Sequence, residues 1–217
     1  MQKKRLLFLI ISSFFLSGCM ARVLTADNLP WVNEDPVLFH DDYSKETGVW
    51  TLRDDTHSYA GYHQGGFRLW SNVPDYQFWS VPGLNFENTM VYVRAQKIDG
   101  TDNNVFGVMC RYQNEDNFYA LLIGSDGYYG IIKRIEGQQS LIDQEHADFS
   151  ELINRGEGVN EIVAVCQDEH LALFVNENRL LQVQDDALTY GDVGLIVGNF
   201  DEPGVDILFD DFIVLSP

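Results

Sequence analysis

Asn117-Phe118-Tyr119-Ala120-Leu121-Leu122-Ile123, Gly124-Ser125-Asp126-Gly127, and then Tyr128-Tyr129-Gly130-Ile131-Ile132-Lys133-Arg134-Ile135 decide how this chain folds. Two runs rich in aromatic and branched residues flank a short polar turn, which is the pattern of a β-hairpin. Gly127 is free to take the positive φ that a bulged turn needs. If Gly124 faces Tyr128, then Ile123 faces Tyr129, Leu121 faces Ile131 and Tyr119 faces Lys133. That register puts Tyr119, Leu121, Ile123, Tyr129 and Ile131 on one face, and Phe118, Ala120, Leu122, Tyr128 and Ile132 on the other. Both faces are apolar, so the hairpin is covered on both sides or lines a groove.

The same texture extends in both directions. Leu38–Tyr43, Val91–Gln96, Val105–Tyr112, Glu161–Cys166, His170–Val175, Val193–Val197 and Ile207–Val214 are strand-like runs bounded by Gly, Asn and Asp. A second hairpin turns at Asn176-Glu177-Asn178 into Leu180–Val183. No segment of helical length carries an apolar stripe, although Asp148–Asn154 has room for one short helical turn. Regular short strands over this length predict an all-β sandwich or barrel.

The chain begins differently. Met1-Gln2-Lys3-Lys4-Arg5 is a basic head, Leu6 to Leu16 is apolar, and Ser17-Gly18-Cys19 follows. This order reads as a secretory signal peptide over residues 1–18, with an apolar run too short to span a bilayer. Leu16-Ser17-Gly18-Cys19 resembles the bacterial lipobox, which implies lipid (palmitate) on Cys19 and a membrane-held lipoprotein. Met20, not Asp, follows that cysteine, which favours the outer membrane where a cell has one. Residues 19–36, with Asn28, Pro30, Asn33 and Pro36, read as a lipidated tether, and 37–217 as the folded domain.

The full chain of 217 residues has a net charge of −19. Lys3, Lys4 and Arg5 lie in the signal segment, which holds no acid, so the remainder stands at −22. Such a surface excludes nucleic acid as a partner. Paired acids suggest calcium, with Asp41, Asp42, Asp210 and Asp211 as candidate ligands where terminal strands meet; exposed, solvated acids are the alternative. With Cys19 lipidated, Cys110 and Cys166 remain as a disulfide candidate, or as two buried thiols.

Phe39-His40-Asp41-Asp42-Tyr43 with Trp50, Gly107-Val108-Met109-Cys110-Arg111-Tyr112, Asn117-Phe118-Tyr119 and Asp126-Gly127-Tyr128-Tyr129 together resemble the concanavalin A-like lectin/glucanase superfamily. So do Leu173-Phe174-Val175-Asn176, Gly191-Asp192-Val193-Gly194-Leu195 and Phe209-Asp210-Asp211-Phe212. The branch is the laminin G-like group that includes domains named for 3-keto-disaccharide hydrolases. The resemblance implies a jelly roll of two curved antiparallel sheets, first and last strands adjacent, with Trp50 in the core.

Glucanases of that superfamily carry Glu-x-Asp-x-x-Glu on one strand face, and this sequence has no such triplet. It also lacks a Gly-x-Ser-x-Gly elbow and zinc spacing; His40, His57 and His63 read as rim residues. Catalysis is therefore disfavoured. Two binding surfaces remain. Arg111, Tyr119, Tyr129 and Lys133 share a face that is expected to line a concave groove, with salt bridging to neighbouring acids as the alternative. Trp70, Tyr76 and Trp79 surround a loop expected at the sandwich edge. The reading that follows is a lipid-anchored, extracytoplasmic, non-catalytic module for carbohydrate. A protein-interaction or envelope scaffold comes second, with an envelope protein as partner, and a 3-keto-disaccharide-type glycoside hydrolase third.

Overall fold

The computed structural model describes residues 36–217; the signal segment and most of the tether lie outside the described residues. Sixteen strands follow in chain order. They are β1 (Val37–Asp41), β2 (Arg53–Asp54), β3 (Ser58–His63), β4 (Gly66–Ser71), β5 (Gln77–Ser80), β6 (Thr89–Gly100), β7 (Asn104–Asn114) and β8 (Asn117–Ile123). Then come β9 (Tyr128–Ile135), β10 (Gln138–Leu141), β11 (Asp148–Phe149), β12 (Asn160–Gln167), β13 (His170–Val175), β14 (Asn178–Gln184), β15 (Asp192–Asn199) and β16 (Val205–Leu215).

Two antiparallel sheets result. One runs β14-β13-β12-β6-β16-β4-β3-β2, with β1 paired to β16; the other runs β10-β9-β8-β7-β15-β5, with β11 paired to β9. The pairing of β1 with β16 makes first and last strands neighbours, Val37 facing Leu215. No helix occurs among the described residues; Asp148–Phe149 pairs as a strand, and a non-helical turn follows it.

Alternation sends one set of side chains into the space between the sheets. Val91, Val93 and Ala95 of β6, Ile162 and Ala164 of β12, and Ile207 and Phe209 of β16 meet Val108, Leu121, Ile131 and Leu195 from the other sheet. Trp50 packs there too, 5.0 Å from both Phe67 and Phe212 by ring centroids. Cys110 of β7 and Cys166 of β12 form a disulfide that ties one sheet to the other. Closing a loop of this length contributes about 4 kcal/mol by chain entropy.

The four Asp considered for calcium are used otherwise. Asp41 is nearly enclosed and accepts hydrogen bonds from Trp50 Nε1 at 2.9 Å, Tyr43 N at 2.8 Å, Tyr62 Oη at 3.0 Å and Thr47 Oγ1 at 3.1 Å. Asp42 is exposed and caps the amide of Ser44. Asp210 and Asp211 both pair with Arg94. Asp41 has its lone pairs taken by donors, and the Arg94 guanidinium pairs with both acids of the other strand, offsetting one of their two charges. Among the described residues no three His, Cys, Asp or Glu stand together as a metal-ligand group.

Candidate functional site

The β8–β9 ladder has the register expected of the hairpin: Tyr119 faces Lys133, Leu121 faces Ile131 and Ile123 faces Tyr129. The hairpin is covered on both faces and does not line a groove with Arg111, Tyr119 and Lys133; at Lys133 the salt-bridging alternative is the one present. Tyr119, Leu121, Ile123 and Ile131 belong to the core between the sheets. Phe118, Ala120, Leu122 and Ile132 form a second apolar cluster on the outer face of the seven-stranded sheet, with Met109 and Ile196.

Arg111, Tyr119 and Lys133 therefore lie within the sandwich, where the protein itself satisfies their polar ends. Tyr119 donates to Asp185 Oδ1 at 2.5 Å and accepts from the Leu188 amide at 3.0 Å. Lys133 pairs with the same carboxylate. Burial raises the Asp185 pKa, but the hydrogen bonds from Lys133 and Tyr119 outweigh that and hold it below the ordinary value. Arg111 donates to the backbone carbonyls of Leu188 at 2.7 Å and Asp168 at 2.5 Å. Desolvation pulls its pKa down. These groups close one rim of the sandwich. Tyr129 is half-buried and packs its ring against the core.

The edge trio is dispersed as well. Trp70 sits inside β4 on the outer face of the nine-stranded sheet, opposite Asp206 and Tyr59. Tyr76 stacks on Phe78 and takes a hydrogen bond from Arg53 at 2.8 Å. Trp79 lies in β5 facing Ile196, on the outer face of the seven-stranded sheet. Tyr76 thus separates two tryptophans that face away from each other, because Gly66–Ser71 and Gln77–Ser80 are strands and not loop.

The outer face of the seven-stranded sheet carries a cavity at one end, although Met109, Phe118, Ala120 and Ile196 at its centre are buried. Row by row it presents Gln77 and Trp79 from β5, Gly194, Ile196 and Gly198 from β15, and Val105, Gly107 and Met109 from β7. Phe118, Ala120 and Leu122 come from β8, Tyr128, Gly130, Ile132 and Arg134 from β9, and Gln139 and Leu141 from β10. Asp192 of β15 stands beside these strand positions, opposite Tyr112.

Glycine shapes this face. A Cβ at Gly130 would stand 2.7 Å from Leu141 Cδ2, and one at Gly198 would stand 2.8 Å from Gln77 Cγ. Removing those side chains lets Leu141 and Gln77 lean inward over the sheet. Between them opens a cavity of about 240 Å³, lined by Gln77, Val105, Leu122, Tyr128, Tyr129, Gly130, Ile132, Gln139, Leu141, Ala147 and Phe200. Its floor is aliphatic. At its mouth Tyr128 is 47% and Phe200 46% exposed. Gln77 and Gln139 supply amides. The volume lies below the roughly 300–1,000 Å³ of sites for drug-sized ligands, so it has room for one small ring or a chain end. Beside it Trp79, Tyr112 and Phe118 form an aromatic group, with Phe118 5.4 Å from Trp79 and 6.2 Å from Tyr112.

A second cavity of about 400 Å³ opens at the rim, among Glu87, Asn88, Arg111, Asp168, Glu169, Asp186, Thr189 and Tyr190. Its only cation is committed to carbonyls, so it offers a ligand mainly exposed acids. Of the larger outer face, Phe118, Ala120, Leu122, Tyr128 and Ile132 were legible in the sequence as one side of the hairpin, but the strands Gln77–Ser80 and Gln138–Leu141 beside it were not. The available signal was glycine inside strand runs, at positions 107, 130, 194 and 198.

No protein-family model matches the chain, and no curated protein matches it in sequence. Solved structures do match. The carbohydrate-binding module CBM66 from Bacillus subtilis aligns with a TM-score of 0.62 at 14% identity, over 77% of this chain and 96% of that one. A Bacillus subtilis protein of unknown function with a galectin-like fold gives 0.60 at 10% identity, over 84% and 97%. The Bacillus licheniformis β-glucanase gives 0.60 at 10% identity, over 82% and 97%. At such identities the likeness is one of fold. The described part of this chain is a concanavalin A-like jelly-roll sandwich.

Proposed function

We propose that this protein is a non-catalytic carbohydrate-binding module, held at a membrane by lipid on Cys19, with its site on the outer face of the seven-stranded sheet. The observation that carries the binding site is the cavity floored by Leu122 and Ile132 and rimmed by Tyr128, Phe200, Gln77 and Gln139. An apolar floor and exposed rings suit the C–H face of a sugar, and amides suit its hydroxyls. Likeness to CBM66, a carbohydrate-binding module, supports the same reading.

A glycan-array screen followed by titration calorimetry tests it. Tyr128 is 47% exposed, so about half of an aromatic side chain's burial energy, roughly 1.5–3 kcal/mol in full, is still to be gained on binding. Tyr128→Ala should weaken affinity for a glycan hit roughly tenfold, while Tyr76→Phe should leave it unchanged. No saccharide affinity on the array would reject the reading.

A second reading has its own observation. Phe149, 42% exposed, stacks edge-on against Tyr128 at 5.6 Å, and with Phe200 it makes an aromatic rim that a protein partner can also cover. An envelope protein that co-purifies with the wild type and is lost with Phe149→Ser would favour this scaffold role.

A further inference from the structure

Most cations of the described chain are spent on acids. Arg53 pairs with Asp55, Arg68 with Asp206, Arg94 with Asp210 and Asp211, Lys97 with Asp102 and Lys133 with Asp185. Arg134 is different. Lys45, Arg111 and Arg179 also make no ion pair among the described residues, but of these four only Arg134 has a buried Nε without a hydrogen-bond partner there. In a chain with 33 acids and 14 cations, a guanidinium without an ion pair on a strand interior needs an explanation, since a buried donor left unmet is destabilising.

Its position supplies one. Arg134 lies on the outer face of the seven-stranded sheet, cross-strand from Phe118 on one side and from Gln139 on the other. The guanidinium carbon sits 5.9 Å from the centroid of the Phe118 ring, so the cation is held by the aromatic group and not by a counter-charge. Its cross-strand partner Gln139 lines the cavity, so Arg134 stands one strand from the cavity wall without itself lining it. Asp192, beside this face, is committed elsewhere: it accepts from the amides of Gly83 at 2.8 Å and Val193 at 2.8 Å.

We propose that Arg134 receives the carboxylate of an acidic sugar, so that the ligand of this face is a uronate-bearing oligosaccharide with a neighbouring ring in the cavity. The inference rests on the carbohydrate reading above and narrows it to a class. A planar guanidinium presents a fork that matches a carboxylate. The negative surface around it disfavours long polyanions. Distant acids are screened beyond about 8 Å at physiological salt, so one or a few acidic residues in an otherwise neutral chain fit best.

The test needs an array on which each uronate oligosaccharide is printed beside its own methyl ester, probed with the purified protein. The free acids should be preferred, and in calorimetry the best of them should bind roughly tenfold or more tightly than its ester, the scale of one charge-assisted hydrogen bond. Arg134→Gln should reduce the acid to the affinity of the ester and leave the ester within about twofold, while Arg134→Lys restores part of the preference. Equal binding of acids and esters, or binding of neutral glycans alone, overturns the proposal and leaves the carbohydrate reading standing. Absence of binding to every saccharide removes both. An unchanged thermal midpoint for Arg134→Gln shows that the variant is folded.

Discussion

Asp41 and Asp192 are both nearly enclosed carboxylates, and the protein treats them in opposite ways. Asp41 is surrounded by hydroxyl, indole and amide donors that fix Trp50 and Tyr62 against the terminal strands. Asp192 is met by backbone amides only, and burial pushes its pKa up to about 6 against those bonds. Because the folded value stands above the unfolded one, the protonated form favours folding. Its contribution is complete below about pH 4 and is lost as pH rises through about 6. Stability of the wild type relative to Asp192→Asn should therefore fall by roughly 2 kcal/mol between pH 4 and pH 7, a figure discounted for partial screening. Urea titrations at both pH values measure this. A constant difference between the two proteins would show that Asp192 is ionised throughout. Residue roles of this kind were only half legible. Alternation along Leu38–Tyr43 says that one of Asp41 and Asp42 points inward, but the donors that meet it come from residues 47, 50 and 62, beyond the reach of a local pattern.

The turn of the β13–β14 hairpin is formed by Asn176 and Glu177, with φ of 49° and 69°. Two successive positive φ values make the mirror-image turn that matches the strand twist, and asparagine and glycine are the residues it prefers. Glutamate pays about 1–2 kcal/mol to sit there, less what glycine loses in unfolded-state entropy. Glu177→Gly should stabilise the protein by roughly 0.5–1 kcal/mol, seen as a higher urea midpoint with an unchanged slope; a lower midpoint would mean that Glu177 makes a contact worth more than the strain. Strands were more legible than sites. Asn117–Ile123, Tyr128–Ile135 and His170–Val175 have the bounds their sequences suggest, because unbroken apolar runs end at clear turns. Ser58–His63 and Gly66–Ser71 were missed, because Gly61, His63 and Arg68 interrupt the alternation of two short strands. That the Tyr119 face of β8–β9 turns to the core and not to a groove has a different cause. Period two separates the faces of a strand but carries no label for the one that another sheet covers, and that choice is made by residues far along the chain.

For the whole molecule, the basic head, apolar run and Cys19 lie outside the described residues, so the anchor is settled by experiment. Cys19→Ala should abolish metabolic labelling with palmitate and leave the precursor uncleaved by the lipoprotein signal peptidase; a labelled variant would end the lipoprotein assignment. The jelly roll and the adjacency of its end strands were legible as a resemblance and are present in the structure. That adjacency has a mechanical meaning. Val37 and Leu215 face each other at the open end of an antiparallel pair, so a force that draws the two termini apart loads the ladder one rung at a time and meets little resistance. Beyond β1 the disulfide intervenes. It withholds the segment from Cys110 to Cys166, a sequence separation of 56, from any stretch, roughly 190 Å of contour length at about 3.4 Å per residue. Under a pull the domain would give early at its ends, then lengthen by that much less than its chain allows, until a reductant releases the remainder.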